Sequence, residues 1–72
     1  MFLGMEFCRR LKYARQEAGY TLAKAAEKVY LSREAVGYYE AGKRVPPIDR
    51  VCMLAKLYGV SIDWLCGMEE IG

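Results

Sequence analysis

The chain has 72 residues, a hydrophobic fraction of 54% and a formal net charge of +2, which predict one small domain over residues 1–72 that buries only about 60% of its unfolded surface. No apolar run approaches the ~20 residues of a membrane span, and the first six residues are too short for a signal peptide, so we expect a cytoplasmic protein. There is no histidine, and the three cysteines show no zinc-site spacing. We expect these cysteines to be reduced and mostly buried, and we predict no metal, no cofactor, no small-molecule ligand and no enzyme.

The first predicted helix runs from about Glu6 to Ala18, and Gly19 ends it. Its apolar residues recur at helical spacing and are expected to face inward. They are Phe7, Leu11, Ala14 and Ala18.

Residues 21–42 predict two short amphipathic helices joined by a tight corner. The hydroxyls of Thr21 and Ser32 can cap the two helices, and Gly42 stands where a helix end favours a positive φ. Only Tyr30 and Leu31 remain to make the corner, and so short a connection forces the helices to cross steeply. This stretch is therefore predicted to be a helix-turn-helix motif.

The remainder of the chain predicts two further helices and a short tail, residues 67–72. Pro47 is expected to open the fourth helix, which Gly59 ends, and Ser61 to cap a fifth helix of residues 62–66. The fold class is therefore all-α, with five short helices around one core. The predicted core residues are Phe7, Leu11, Leu22, Ala26, Val29, Val36, Tyr39, Ile48, Val51, Leu54 and Leu65.

Charge is unevenly distributed along the chain. Residues 1–46 contain nine Lys or Arg against five acids, whereas residues 47–72 contain two against four. A polyanion would therefore be attracted to the part that contains the predicted helix-turn-helix.

An ordered set of motifs resembles the phage-repressor (Cro-like, XRE-type) helix-turn-helix DNA-binding family over roughly residues 7–66. The matching residues are Thr21, Ala26-Glu27-Lys28, Leu31-Ser32, Tyr39-Glu40, Gly42-Lys43-Arg44-Val45-Pro46, Leu54-Ala55-Lys56, Gly59-Val60-Ser61 and Asp63-x-Leu65. The resemblance implies a compact lambda-repressor-like domain in which the second and third helices form the motif. It also implies a DNA-binding transcriptional regulator.

The resemblance implies that Arg33, Glu34 and Tyr38 read base edges. Arg33 could bond a guanine edge, Glu34 a cytosine amino group, and Tyr38 a thymine methyl or a phosphate. The predicted phosphate-binding residues are Thr21, Ser32, Lys43 and Arg44. The alternatives are that Arg33 and Glu34 form only a solvated charged turn, and that Lys43 and Arg44 only complement the helix C-terminus.

The resemblance also implies an ion pair between Arg15 and Glu40, tying the first helix to the end of the third; the alternative is an Arg15 that meets only water. Two positions depart from the family pattern. Leu22 replaces the usual glutamine, so that a phosphate contact is missing. Tyr30 replaces the usual corner glycine, so that either the strain of a positive φ is accepted or the backbone turns differently.

Two functions fit these expectations. The first is a sequence-specific double-stranded DNA-binding regulator, a repressor that binds a palindromic operator as a homodimer through a patch of Trp64, Leu65, Met68 and Ile71. The alternative for Trp64 is that it closes the core. The second function is a protein-interaction module on the same fold, with weak or no DNA binding and an antirepressor or toxin as partner.

Overall fold

The computed structural model describes residues 4–68, and all regular structure in that part of the chain is helical. The helices are α1 (Met5–Glu17), α2 (Leu22–Lys28), α3 (Arg33–Ala41), α4 (Ile48–Tyr58) and α5 (Ile62–Leu65). The predicted all-α fold with five helices is thus confirmed. Where the bounds differ from the predicted ones they do so by one residue, as at Pro47, which precedes α4 instead of opening it. None of these helices is long and apolar enough to cross a membrane.

Local side-chain chemistry sets the ends of the two motif helices. The Thr21 hydroxyl accepts a hydrogen bond from the backbone N–H of Lys24 at 3.1 Å, and the Ser32 hydroxyl accepts one from Ala35 at 3.0 Å. Each bond satisfies one N–H that the first turn of a helix leaves without a partner. Gly42 ends α3 at φ 76°, in the left-handed region that favours glycine.

All five helices contribute buried residues to the core. Its largest fully buried side chains are Phe7, Leu11, Val36, Leu54 and Leu65. Burying an apolar side chain of this size contributes roughly 1.5–3 kcal/mol. These five residues, which come from α1, α3, α4 and α5, are therefore large contributors to the hydrophobic stabilisation of the domain.

Two residues of the predicted core list lie elsewhere, and Ala18, which was expected to face inward, is exposed just after the end of α1. Ile48 is 68% exposed, because it is the first residue of α4 and the buried stripe of that helix begins one turn later, at Val51. Leu22 is only half-buried. It opens α2 beside Gly37, where a Cβ would lie 4.0 Å from the Leu22 Cδ1 atom.

The three cysteines are free thiols in three different environments. Cys8 is buried, Cys66 is half-buried, and burial raises the pKa of the Cys66 thiol. Cys52 is exposed on the outer side of α4, which corrects the expectation of mostly buried thiols for that residue.

The corner between α2 and α3 places a tyrosine in the left-handed region. Tyr30 has φ 60°, and the next backbone N–H, that of Leu31, donates to the carbonyl of Ala26 at 2.9 Å. This is the usual six-residue closure of a helix end, in which glycine normally occupies the left-handed position. The chain therefore turns in the ordinary way and accepts the strain of a Cβ at positive φ.

Replacing Tyr30 by Gly is expected to stabilise the protein by about 1 kcal/mol relative to Tyr30→Ala, since only glycine relieves the backbone strain. The Tyr30 side chain is 90% exposed, so little packing is lost in either variant. Urea unfolding of the two variants and the wild type measures the effect. Equal stability of the Gly and Ala variants would show that the corner carries no strain.

Candidate nucleic-acid interface

The outer face of α3 is the first part of the candidate nucleic-acid interface. Val36 and Tyr39 lie in the core, and helical geometry then turns Arg33, Glu34 and Tyr38 toward solvent. Arg33 and Glu34 are exposed, and Tyr38 is 37% exposed. The structure thus brings the three predicted base-reading residues together on one solvent-facing surface, on which the Tyr38 ring is partly covered.

A buried ion pair ties the end of α3 to α1. The Arg15 Nε atom donates to one Glu40 carboxylate oxygen at 2.7 Å, and Nη2 donates to the other at 3.1 Å. The two side chains are only 9% and 6% exposed. The carboxylate raises the pKa of Arg15, and the third guanidinium nitrogen donates to the Tyr20 carbonyl at 2.8 Å. A bidentate pair of this kind fixes orientation as well as distance.

A second contact, between α3 and α4, was not predicted. The Arg50 Nη1 atom donates to the hydroxyl of Tyr39 at 2.7 Å. The ring of Tyr39 is in the core, so this bond satisfies the polar tip of a buried side chain. Nothing in the sequence pairs these two residues, because they lie on different helices and belong to no shared motif.

The segment that follows α3 carries two cations. Lys43 forms no ion pair among residues 4–68, and its backbone N–H donates to the Tyr38 carbonyl at 2.9 Å. The guanidinium carbon of Arg44 lies 5.1 Å from the centre of the Tyr38 ring. Both cations are exposed, and Arg44 stands directly beside a predicted base-reading residue.

A depression of about 260 Å³ lies between α1, α2 and α3. Lys12, Leu22, Gly37 and Ala41 line it together with the ion pair of α1 and α3. Gly37 follows Arg33 by one helical turn, so the depression borders the exposed face of α3. Lys12 is therefore a cation at the edge of the candidate interface, and no motif of the sequence predicted a role for it. The only sequence feature that pointed to Lys12 is the general excess of positive charge in the first 46 residues.

The residues predicted to form a dimer patch divide between core and surface. Leu65 is fully buried within its own chain, so it offers no surface to a second copy and that part of the prediction is corrected. Trp64 is half-buried, and the Arg10 guanidinium lies 5.1 Å from its ring centre. Met68 is 64% exposed, and Ile71 lies outside the described residues.

A family model described as "Helix-turn-helix" matches residues 11–65. The HTH-type transcriptional regulator ImmR of Bacillus subtilis (strain 168) is 43% identical over 67 residues, which cover 93% of this chain and 53% of the relative.

Two further relatives show the same pattern. YobD of Bacillus subtilis (strain 168), an uncharacterized HTH-type transcriptional regulator, is 36% identical over 64 residues, which cover 89% of this chain and 57% of the relative. The HTH-type transcriptional activator BcrR of Enterococcus faecalis is 34% identical over 67 residues, or 93% of this chain and 33% of the relative. The chain thus spans about half the length of the first two relatives and a third of the last.

Proposed function

The chain belongs to the helix-turn-helix family, and from this premise we propose that it binds double-stranded DNA sequence-specifically and regulates transcription. The family match extends over both motif helices, as the resemblance predicted. The relatives carry the names of transcriptional regulators, and none of these names includes an enzymatic activity. The exposed face of α3 carries the proposal, and the cytoplasm is the compartment in which we place this binding.

Base reading is assigned to the three exposed side chains of α3. A major groove admits an α-helix, and Arg33 can donate two hydrogen bonds to the O6 and N7 atoms of guanine. The Glu34 carboxylate can accept from the N4 amino group of cytosine. Tyr38 can contact a thymine methyl or a phosphate. Because α3 is held by a buried ion pair, it would enter the groove without a further ordering cost at its C-terminal end.

Phosphate binding is assigned to Thr21, Ser32, Lys43 and Arg44. The hydroxyls of Thr21 and Ser32 already accept bonds from backbone N–H groups. A hydroxyl also has one proton to donate, so both can still bond a phosphate oxygen while they cap their helices. Lys43 and Arg44 supply positive charge just beyond the end of α3, and such contacts set position without reading sequence.

Lys43→Ala is expected to weaken binding to all DNA sequences by a similar factor, because its ammonium group would neutralise a phosphate. The slope of log K against log salt should become shallower by about 0.9. Fluorescence anisotropy with a selected site and a random duplex, at several salt concentrations, measures both effects. A loss confined to the selected site would contradict the phosphate role.

We propose that the chain represses transcription by occupying its operator as a homodimer. A single α3 contacts few base pairs, whereas a two-fold dimer can place two such helices in successive major grooves ~34 Å apart on a palindromic site. The surface proposed for the contact is Trp64 with Met68, now without Leu65. A reporter gene placed behind the selected site distinguishes repression from activation, the function named for BcrR.

Light scattering at high protein concentration is expected to give twice the 8.2 kDa mass of one chain. Trp64→Ala and Met68→Glu should shift the protein toward the monomer, because each removes apolar surface from the proposed contact. Val45→Glu, which changes another exposed apolar side chain (60% exposed), serves as the control and should leave the mass unchanged. A wild-type monomer at high concentration would remove the dimer from the proposal.

A groove between the end of α2 and α4 favours protein interaction as a second candidate function. It has a volume of about 250 Å³ and is lined by the apolar residues Val29, Met53 and Leu57 and by two exposed lysines, Lys28 and Lys56. Neither lysine has an ion-pair partner among residues 4–68. An apolar surface flanked by two cations suits a protein segment, from an antirepressor or a toxin, that carries an apolar anchor between carboxylates.

A salt titration of binding to random duplex DNA separates the two functions. The DNA-binding function predicts binding at low salt that weakens steeply as salt rises, since phosphate contacts release counterions. No binding at low salt would leave protein interaction as the better account. A selection from a random duplex library then identifies the preferred site.

A further inference from the structure

Tyr38 and Arg44 are six residues apart, yet their side chains are in contact. The Arg44 guanidinium carbon lies 5.1 Å from the centre of the Tyr38 ring. Tyr38 is 37% exposed and Arg44 is exposed. A guanidinium at this distance is attracted to the negative face of an aromatic ring, so the ring is held on one side by a cation.

The backbone explains why these two residues meet. Gly42 at φ 76° reverses the chain at the end of α3, and the Lys43 N–H then donates to the Tyr38 carbonyl at 2.9 Å. This bond anchors the returning segment on the residue whose ring Arg44 covers. The helix-ending geometry therefore places the backbone of Arg44 within reach of the Tyr38 ring.

We propose that Arg44 is a positioning residue that holds the Tyr38 ring in place to read the 5-methyl group of a thymine. This role rests on the proposed DNA-binding function and deepens it. The guanidinium covers one side of the ring and keeps its remaining N–H donors for a phosphate, while the exposed remainder of the ring is apolar surface suited to a methyl group. The Arg44–Tyr38 pair would then couple a contact to the DNA phosphate backbone with a contact to a base.

The competing interpretation treats the two residues as independent, with Arg44 as a phosphate contact and Tyr38 as a separate side chain. The two interpretations differ in what happens to methyl recognition when Arg44 is removed. Independence predicts an unchanged methyl effect and weaker binding overall. Positioning predicts that the methyl effect itself declines.

The test replaces each thymine of the selected site by uracil, one position at a time, which removes one methyl group and nothing else. At one position, the uracil substitution is expected to weaken binding of the wild type about fourfold. This factor corresponds to the free energy of burying one methyl-sized group. In Tyr38→Ala this loss should disappear. In Arg44→Ala it should fall below twofold, and in the control Lys43→Ala it should stay at about fourfold.

Two results would overturn the inference. The first is a full fourfold uracil penalty in Arg44→Ala, which would establish independence while leaving DNA binding intact. The second is a wild type that selects a site but responds to uracil at no position, which would remove methyl reading. A wild type that selects no site at all would instead remove the proposed function, and the inference with it.

The contact between Arg44 and Tyr38 can also be tested in the free protein, without DNA. The side-chain methylene protons of Arg44 should show an upfield ring-current shift in the NMR spectrum, and this shift should vanish in Tyr38→Ala. Both side chains are at the surface, so the variants are expected to fold, and circular dichroism checks this. Unshifted methylene protons in the wild type would contradict the contact.

Discussion

Replacing Arg15 by Ala is expected to lower the free energy of unfolding by about 3–5 kcal/mol, because the change strands the Glu40 carboxylate in a nearly closed site. That carboxylate accepts two bonds from Arg15, and both side chains are less than a tenth exposed. The Tyr20 carbonyl loses its side-chain donor as well. In a small domain of ordinary stability, such a loss is a large part of the total. Urea unfolding followed by circular dichroism measures it.

Two controls show whether the stranded charge is the cause. The double variant Arg15→Met/Glu40→Leu removes both charges and should recover most of the loss. Tyr58→Phe removes a neighbouring buried hydroxyl that has no hydrogen-bond partner among residues 4–68 and whose pKa is raised mainly by burial. It should cost nothing, because no bond is broken. Equal stability of Arg15→Ala and the wild type would show that the pair is not needed to hold α3.

Arg33→Ala is expected to lose discrimination at one base pair of the selected site by about 1–3 kcal/mol, or roughly 5- to 150-fold. The physical reason is the loss of two directed hydrogen bonds to a guanine edge, which no other exposed side chain of α3 can replace. Affinity for random duplex DNA should fall much less, because only one positive charge is removed. Competition binding against all single-base-pair variants of the site measures the change.

Arg9→Ala is the matched control for Arg33→Ala. It removes the same charge from an exposed arginine (side chain 71% exposed) that lies on α1 and pairs with Glu6. We expect it to leave discrimination unchanged at every position. If Arg33→Ala and Arg9→Ala behave alike, Arg33 acts only through its charge, and the solvated-turn interpretation of α3 is correct.

The helices and their ends could be predicted from the sequence because they depend on short-range chemistry. Thr21 and Ser32 each bond an N–H three residues away, and Gly42 ends α3 by its own backbone freedom. Interactions of this range leave a signature within one turn of helix. The spacing of Val36 and Tyr39 likewise indicated which face of α3 is buried, and therefore which face is free.

The other features of the fold and of the candidate site could not be predicted, because they depend on tertiary contacts that no local sequence pattern encodes. Ile48 fits the apolar stripe of α4, yet it lies at the end of the helix and is 68% exposed. Leu65 is predicted both as a core residue and as part of the dimer patch, and only the packing of α5 shows that it lies in the core. The contacts of Arg10 with Trp64 and of Arg44 with Tyr38 join side chains whose meeting depends on the path of the backbone between them.

Selection from a random duplex library, carried out with the wild type and with a variant that replaces Arg33, Glu34 and Tyr38 together by Ala, tests the base-reading surface most directly. We predict a defined consensus for the wild type, and for the variant only weak, salt-sensitive binding without a consensus. Recovery of the same consensus by both proteins would place sequence reading elsewhere in the molecule and contradict the account.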